Sequence, residues 1–291
     1  MAARPVGIVG LGVMGGATGR HLLAAGYEVH GFDVEPARRR EFSDAGGRVH
    51  ESTEELARAA DTVITWLPTP AALAETVESV VSAGGDDLVL IEMGTLALAA
   101  KHDARARLEE AGMAMLDCPV SGTGKQAEDA SLVVYGSGDE TVFESRRALF
   151  EAFGTWRYLG EFGNGSVMKY IANLLVTVHT LAAAEAHNLG SASGLDPALV
   201  QEVIAEGVGS SRMWEIRGAM MALSEYEPPA GRLDIIKKDA GLISEHAADV
   251  GTADPALDLA LGLFRDASDA GLGSLDAAAI RLYLARLSGR D

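Results

Sequence analysis

The chain has 291 residues, 48% hydrophobic and 23% charged, with one cysteine and a formal net charge of −18. Such a composition supports a sizeable core and excludes disorder, a collagen-like chain and a disulfide-stapled miniprotein. An acidic surface argues against binding nucleic acid or anionic membranes, and no uninterrupted apolar run reaches the ~18 residues of a membrane span.

At roughly 150 residues per domain, the length suggests two domains. Residues 1–8 run straight into a strand-like pattern, so no secretory segment is expected ahead of it. Val6-Gly7-Ile8-Val9 is predicted as a strand, and 14–25 as a helix stopped by Gly26, a residue suited to a left-handed cap. Further strands are predicted at 28–32, 62–66 and 88–91, with helices between them. Ser52-Thr53-Glu54-Glu55 has the form of a capping box. Continuous apolar strands alternating with helices indicate a parallel sheet covered on both faces. Later strands are predicted at 114–116, 132–135 and 156–159. From Ser166 to about Ser191 the chain reads as one long helix, and everything beyond it as helices broken by turns. The sequence therefore divides into 1–161, an α/β Rossmann-type doubly wound domain, and 162–291, an all-α domain that opens with a long interdomain helix.

Gly10-Leu11-Gly12-Val13-Met14-Gly15 fits G-x-G-x-x-G after a strand and at the start of a helix. In this context the first glycine permits the turn and the second lets backbone approach a pyrophosphate. The third allows close helix–strand packing, and the helix N-terminus faces the phosphates. Asp33 ends the next predicted strand. Its carboxylate would accept from both adenosine ribose hydroxyls and repel a 2′-phosphate, which favours NAD over NADP. Arg38-Arg39-Arg40 follows in the next helix, as a solvated face or as a partner for adenine or phosphate.

Three other segments carry possible chemistry. Asp117-Cys118-Pro119-Val120-Ser121-Gly122-Thr123-Gly124 follows a strand; its small residues could turn N–H groups and hydroxyls toward an anion, or form an ordinary loop. Lys169 and Asn173 sit four apart near the start of the long helix and share one face. Burial and the helix dipole would lower the lysine pKa and suit it to proton transfer, although a surface lysine has the same spacing. Lys237-Lys238-Asp239 by itself reads as a solvated face. Cys118 cannot form an intramolecular disulfide, which fits a reducing, cytoplasmic setting. Without a His-Glu-x-x-His pairing or a cysteine cluster, no metal site is expected; His179 and His187 read as core or solvated side chains.

Taken in order, these segments resemble the β-hydroxyacid dehydrogenases, the family of 3-hydroxyisobutyrate dehydrogenase, tartronate semialdehyde reductase and the glyoxylate/succinic semialdehyde reductases. The resemblance covers essentially the whole chain. It implies that Gly10, Leu11, Gly12, Val13, Met14 and Gly15, with Asp33, Leu67, Pro68, Thr95 and Lys238, bind the dinucleotide: NAD, with NADP as the alternative. It implies that Ser121, Gly122, Thr123 and Thr95 hold the substrate, and that Lys169 is the general acid/base assisted by Asn173. The implied partner is a small anionic hydroxy acid or aldehyde acid, and the implied assembly a homodimer or homotetramer. Three departures stand out: Thr123 replaces a loop glycine, Ala172 replaces the first asparagine of a pair, and Gly231-Arg232 lies where relatives carry a phenylalanine. Arg232 is read as an added anion anchor in a more open pocket. Two other readings stand beside this one: an NADPH-dependent short-chain aldehyde-acid reductase, and a non-catalytic dinucleotide-binding scaffold. Imine reductases share the architecture but typically replace the lysine that this chain keeps.

Overall fold

The computed structural model describes residues 5–85 and 87–289. Met1 to Arg4, on which part of the N-terminal reading rests, lie outside the described residues. The chain divides into two compact units, Met1–Lys169 and Tyr170–Asp291.

Unit one is built on a six-stranded parallel sheet. Its strands are β1 (Val6–Val9), β2 (Val29–Phe32), β3 (Arg48–Val49), β4 (Thr62–Thr65), β5 (Val89–Glu92) and β6 (Ala114–Asp117), in the order β3-β2-β1-β4-β5-β6. All five pairings are parallel, with Val6 opposite Val29 on one side and Thr62 on the other. β1, β4 and β5 are buried along their whole length, as their unbroken runs require when helices cover both faces. The helices are α1 (Val13–Ala24), α2 (Pro36–Asp44), α3 (Thr53–Ala59), α4 (Pro70–Ala83) and α5 (Leu98–Glu109). Apolar side chains fill both sides of the sheet, with Ile8, Leu22, Ile64 and Ile91 in one cluster and Leu56, Val63, Leu73 and Leu90 in the other.

Local chemistry sets the element ends. Gly26, at φ +89°, closes α1: its N–H donates to the Leu23 carbonyl and that of Tyr27 to Leu22, the paired bonds of a Schellman end. Ser52 caps α3 by accepting from the Glu55 N–H at 3.1 Å. The expected reciprocal bond is shifted by one residue, since the Glu55 carboxylate accepts from Glu51 rather than from Ser52.

The predicted strands at 132–135 and 156–159 do not extend the main sheet. They belong to a second, three-stranded sheet of β7 (Val120–Ser121), β8 (Leu132–Gly136) and β9 (Gly154–Tyr158), ordered β7-β8-β9. β7 runs antiparallel to β8, and β9 parallel to it. Burial alternates residue by residue along β8, as in a sheet with only one face covered. Helices α6 (Gly124–Glu128) and α7 (Glu140–Glu151) flank these strands, and an isolated bridge between Asp117 and Ser137 ties the small sheet to the end of β6.

α8 (Asn164–Ala192) spans 29 residues and crosses the boundary of the two units. By length and hydropathy it is the one described helix that could cross a bilayer. Buried Asn173, Thr177, Thr180 and His187 along it instead match a core helix, since lipid-facing polar groups are costly. Unit two continues with α9 (Pro197–Ala205), α10 (Ala219–Leu223), α11 (Leu233–Asp249), α12 (Pro255–Ala267) and α13 (Ile280–Leu287). Its core gathers Leu181, Trp214, Met221, Leu233, Phe264 and Ile280. A buried Arg217–Asp276 pair stands beside this core, and Asp276 also accepts from the Gly231 N–H at 2.9 Å.

Candidate active site

The strand order reverses between β1 and β4, the switch point where parallel α/β sheets open a crevice at their carboxyl ends. The turn after β1 carries the glycine motif. Gly10 has φ +92°, and a Cβ there would lie 2.3 Å from the Trp66 carbonyl oxygen; a Cβ at Gly15 would lie 1.9 Å from the Gly10 oxygen. These two glycines are therefore demanded by packing within the turn. Gly12 differs, because a Cβ there meets no protein atom within 4 Å, and it begins α1 without a side-chain cap. An open backbone at an uncapped helix start is what a pyrophosphate needs, so these residues fit a dinucleotide. Leu11 buries its side chain in the core while Val13 is exposed and Met14 is half-buried.

Asp33, just beyond β2, is tied to the same turn. Its Oδ2 accepts from the Leu11 N–H at 2.7 Å and its Oδ1 from the Glu35 N–H at 2.8 Å. The arginine run is engaged with its surroundings: Arg39 donates to the Asp33 carbonyl at 2.6 Å and lies over the Phe32 ring, and Arg38 pairs with Glu41. Leu67 and Pro68 leave β4, and Thr95 follows β5, at the same edge of the sheet.

The loop after β6 comes close to the glycine turn. A Cβ on Gly124 would lie 3.0 Å from a Val13 methyl, and His21 and Arg20 of α1 bond to Ala127 and Glu128. Gly122 holds φ +146°, and a Cβ there would strike Leu132. Thr123 is engaged within its own loop. Its N–H and its hydroxyl both donate to the Gln126 side chain at 2.7 Å, and it caps α6. A short helix start needs its orphan groups satisfied, and Thr123 with Gln126 does this for α6. Ser121 and Gly122 remain as the loop's anion-facing candidates.

Behind these loops lies a buried polar cluster with only an indirect sign in the sequence. Lys101 of α5 is 0% exposed. Its Nζ reaches Asp117 Oδ1 at 2.7 Å, Glu92 Oε2 at 2.5 Å and the Gly94 carbonyl at 2.8 Å. Burial disfavours the ammonium, but the Asp117 and Glu92 carboxylates outweigh it and hold the Lys101 pKa above the usual lysine range. Glu92 moves the other way from an ordinary carboxyl: burial pushes its pKa up, only partly opposed by Lys101. The Asp117 carboxylate also accepts from Ser166 Oγ at 2.9 Å and from the Ser166 N–H at 2.7 Å, so it caps α8 from another element. Ser137 Oγ accepts from the Gly165 N–H at 2.9 Å. The sequence sign was a glutamate closing the apolar run 88–91, which has no solvated face to occupy. Cys118 is fully buried beside the cluster, and burial raises its thiol pKa well above the usual value, leaving it a poor nucleophile.

Lys169 is half-buried in the second turn of α8, three residues past Ser166. In unit two, Asn173 is buried and its Nδ2 donates to Asp239 Oδ2 at 2.7 Å. A carboxylate can only accept, so this bond fixes the amide orientation and leaves the Asn173 oxygen as an acceptor. Asp239 Oδ1 pairs with Lys238 at 2.9 Å. The Lys238-Asp239 pair is thus split in its work, with Lys238 at the surface and Asp239 anchoring Asn173. Arg232 is exposed at the start of α11, and the neighbouring Gly231 is tied to Asp276.

Residues 5–169 match the family model described as the NAD binding domain of 6-phosphogluconate dehydrogenase. Residues 163–283 match the NAD-binding model of NADP-dependent 3-hydroxyisobutyrate dehydrogenase. The chain is 32% identical to L-threonate dehydrogenase of Cupriavidus necator, over 96% of this chain and 95% of that one. The chain belongs to the β-hydroxyacid dehydrogenase family. Mouse mitochondrial 3-hydroxyisobutyrate dehydrogenase is 29% identical over 96% of this chain and 87% of its own. Among solved structures, Mycobacterium tuberculosis 3-hydroxyisobutyrate dehydrogenase with L-serine superposes with a TM-score of 0.89 at 27% identity, covering 97% of this chain and 99% of that one. As a β-hydroxyacid dehydrogenase, the protein is an NAD(P)-dependent enzyme acting on a CH–OH group.

Proposed function

We propose that this dehydrogenase interconverts a small β-hydroxy acid and its semialdehyde or keto acid, with Lys169 moving the proton. The observation that carries this reading is the position of Lys169 in the second turn of α8, a helix whose first N–H groups are bound to Asp117 and Ser137 at the carboxyl edge of the sheet. NAD(P) held by the glycine turn, Asp33, Leu67, Pro68 and Thr95 would supply the hydride acceptor or donor. The Ser121 hydroxyl and the backbone N–H groups of the 121–122 loop receive the substrate carboxylate. In the oxidative direction, the neutral Lys169 amine accepts the substrate hydroxyl proton as the C–H bond gives up its hydride. In the reductive direction, the Lys169 ammonium returns that proton to the nascent alkoxide. Asn173 presents its side-chain oxygen to the substrate hydroxyl or to the lysine, while Asp239 holds its other end. The family resemblance assigns Lys238 to the cofactor, and Arg232 is read as an added anchor for the substrate anion.

Positioned proton transfer of this kind contributes about 10²–10⁴-fold. Lys169→Ala is therefore expected to lose at least ~100-fold in kcat while NADH affinity, read by fluorescence titration, stays close to wild type. Turnover that survives the substitution would reject Lys169 as the acid/base. The substrate follows from a 340 nm screen of threonate, glycerate, 3-hydroxyisobutyrate, 3-hydroxypropionate and 4-hydroxybutyrate with NAD and NADP. Activity confined to compounds lacking a carboxylate would overturn the hydroxy-acid reading. Arg232→Ala is expected to raise KM for the best acid; an unchanged KM removes its anchoring role.

A further inference from the structure

The buried cluster behind the loops has no direct part in the reaction described above, yet it touches three segments of unit one that carry a site residue. Gly94, next to Thr95, is gripped at both ends: its N–H donates to Glu92 Oε1 at 2.8 Å and its carbonyl accepts from Lys101. Asp117 opens the 117–124 loop and binds Lys101 through the same oxygen that accepts from Ser166 Oγ. Its other oxygen holds the Ser166 N–H, three residues ahead of Lys169. One ammonium therefore joins the loop after β5, the loop after β6 and the start of α8.

We infer that Lys101 is a positioning residue for catalysis: by bridging Glu92 and Asp117 it fixes Thr95 and the start of α8 relative to each other, and through α8 the reach of Lys169. The inference rests on the acid/base reading of Lys169. Stability alone does not call for such a group, since well-packed apolar side chains of similar volume often replace a buried ion pair without loss. Apolar packing does not, however, dictate distances between particular atoms. Three contacts of 2.5–2.8 Å from one Nζ do, and they act on backbone as well as on side chains. A reacting group displaced by about 1 Å can lose ~100-fold in rate, so a tether of this stiffness is sufficient to matter.

Removing Lys101 alone would leave two buried carboxylates unpaired and endanger folding. The double variant Lys101→Met/Glu92→Leu lessens this, because it removes one charge of each sign and leaves Asp117 as the single buried carboxylate, still accepting from the Ser166 N–H and Oγ. The double variant is expected to fold, by circular dichroism and thermal melting, and to bind NADH within about threefold of wild type. Its kcat should fall about 10- to 100-fold, and the pH profile of kcat should shift as the surroundings of Lys169 change. Ser166→Ala, which loosens the same tether without burying an unpaired charge, should change kcat and its pH profile in the same sense but less. A purely structural role would lower the melting temperature while leaving kcat and its pH profile alone. Wild-type kcat and pH profile in the folded double variant would overturn the inference; should that variant not fold, the same result in Ser166→Ala overturns it. Lys169→Ala measured alongside separates the two ideas. If it is inactive while the tether variants run at wild-type rate, only the inference fails. If it remains active, the acid/base reading fails and takes the inference with it.

Discussion

Asp33 has both carboxylate oxygens engaged by backbone N–H groups, one from the glycine turn and one from its own strand end. A carboxylate oxygen offers two lone pairs, so each retains an acceptor site for a ribose hydroxyl. The same charge repels a 2′-phosphate, and Arg39 of the arginine run is occupied by the Asp33 carbonyl and Glu51. Wild-type enzyme is expected to favour NAD over NADP by at least about tenfold in kcat/KM, or ~1.4 kcal/mol. Asp33→Asn, which keeps an acceptor for Leu11 but removes the charge, should narrow that preference. A wild-type preference for NADP would refute this account of Asp33. Its place at a strand tip marked Asp33 in the sequence as a candidate for the ribose. Its second task, pinning Leu11 across 22 residues, needed the folded chain.

At the scale of single elements, the edge of the main sheet carries a titratable chain. His30 of β2 is buried, its Nε2 at 3.0 Å from Glu28 Oε1 and its Nδ1 at 3.0 Å from His50 Nε2. Glu28 can only accept, so His30 donates through Nε2 and takes the His50 N–H on Nδ1. Burial, then the neighbouring His30 and Arg48, lower the His50 pKa, against a weaker opposing pull from Glu55. The folded state therefore prefers neutral His50, and the unfolded state binds the extra proton. This contribution to stability is present above the unfolded pKa near 6.5 and is lost as pH falls through the depressed folded value. Between pH 7 and pH 5 the melting temperature of His50→Gln should consequently fall less than that of wild type. Parallel curves would remove His50 as the sensor. Elements themselves were largely legible from periodicity and turn residues: β1, α1 with its Gly26 stop, the Ser52 cap and the long α8 were all foreseen within a residue or two. The second sheet was not foreseen as separate. β7, only two residues long, carries no periodic signal, and whether β8 joins one sheet or another is decided by its partners.

Over the whole molecule, 42 acidic against 24 basic residues leave a strongly negative surface, against which an apolar stretch of unit two stands out. α9 buries none of its residues; Leu199 is 51% and Val203 57% exposed, four apart on one face, with Leu195 and Val208 exposed on either side. Contiguous apolar surface of this kind marks association sites in soluble proteins. The protein is expected to behave as a dimer or tetramer in light scattering, and Leu199→Asp/Val203→Asp to shift it toward a smaller species. A monomeric wild type would end the expectation, and an unshifted oligomer in the double variant would assign it to another surface.

Neighbouring residues alone were enough to specify the strand–turn–helix glycine cradle, the acid at the tip of β2, the helical register that separates Lys169 and Asn173 by one turn, and the α/β-then-α order of the chain. Each depends on backbone preference or on side-chain period, which are properties of a short stretch. Folding was required to show that Thr123 spends its donors on a helix cap, that Asp239 anchors Asn173 from 66 positions away, and that Lys101, Glu92, Asp117 and Ser166 form one buried cluster. Those outcomes depend on which groups are excluded from water together. A buried charge takes its partner from whatever element the topology brings beside it, and no local pattern encodes that choice.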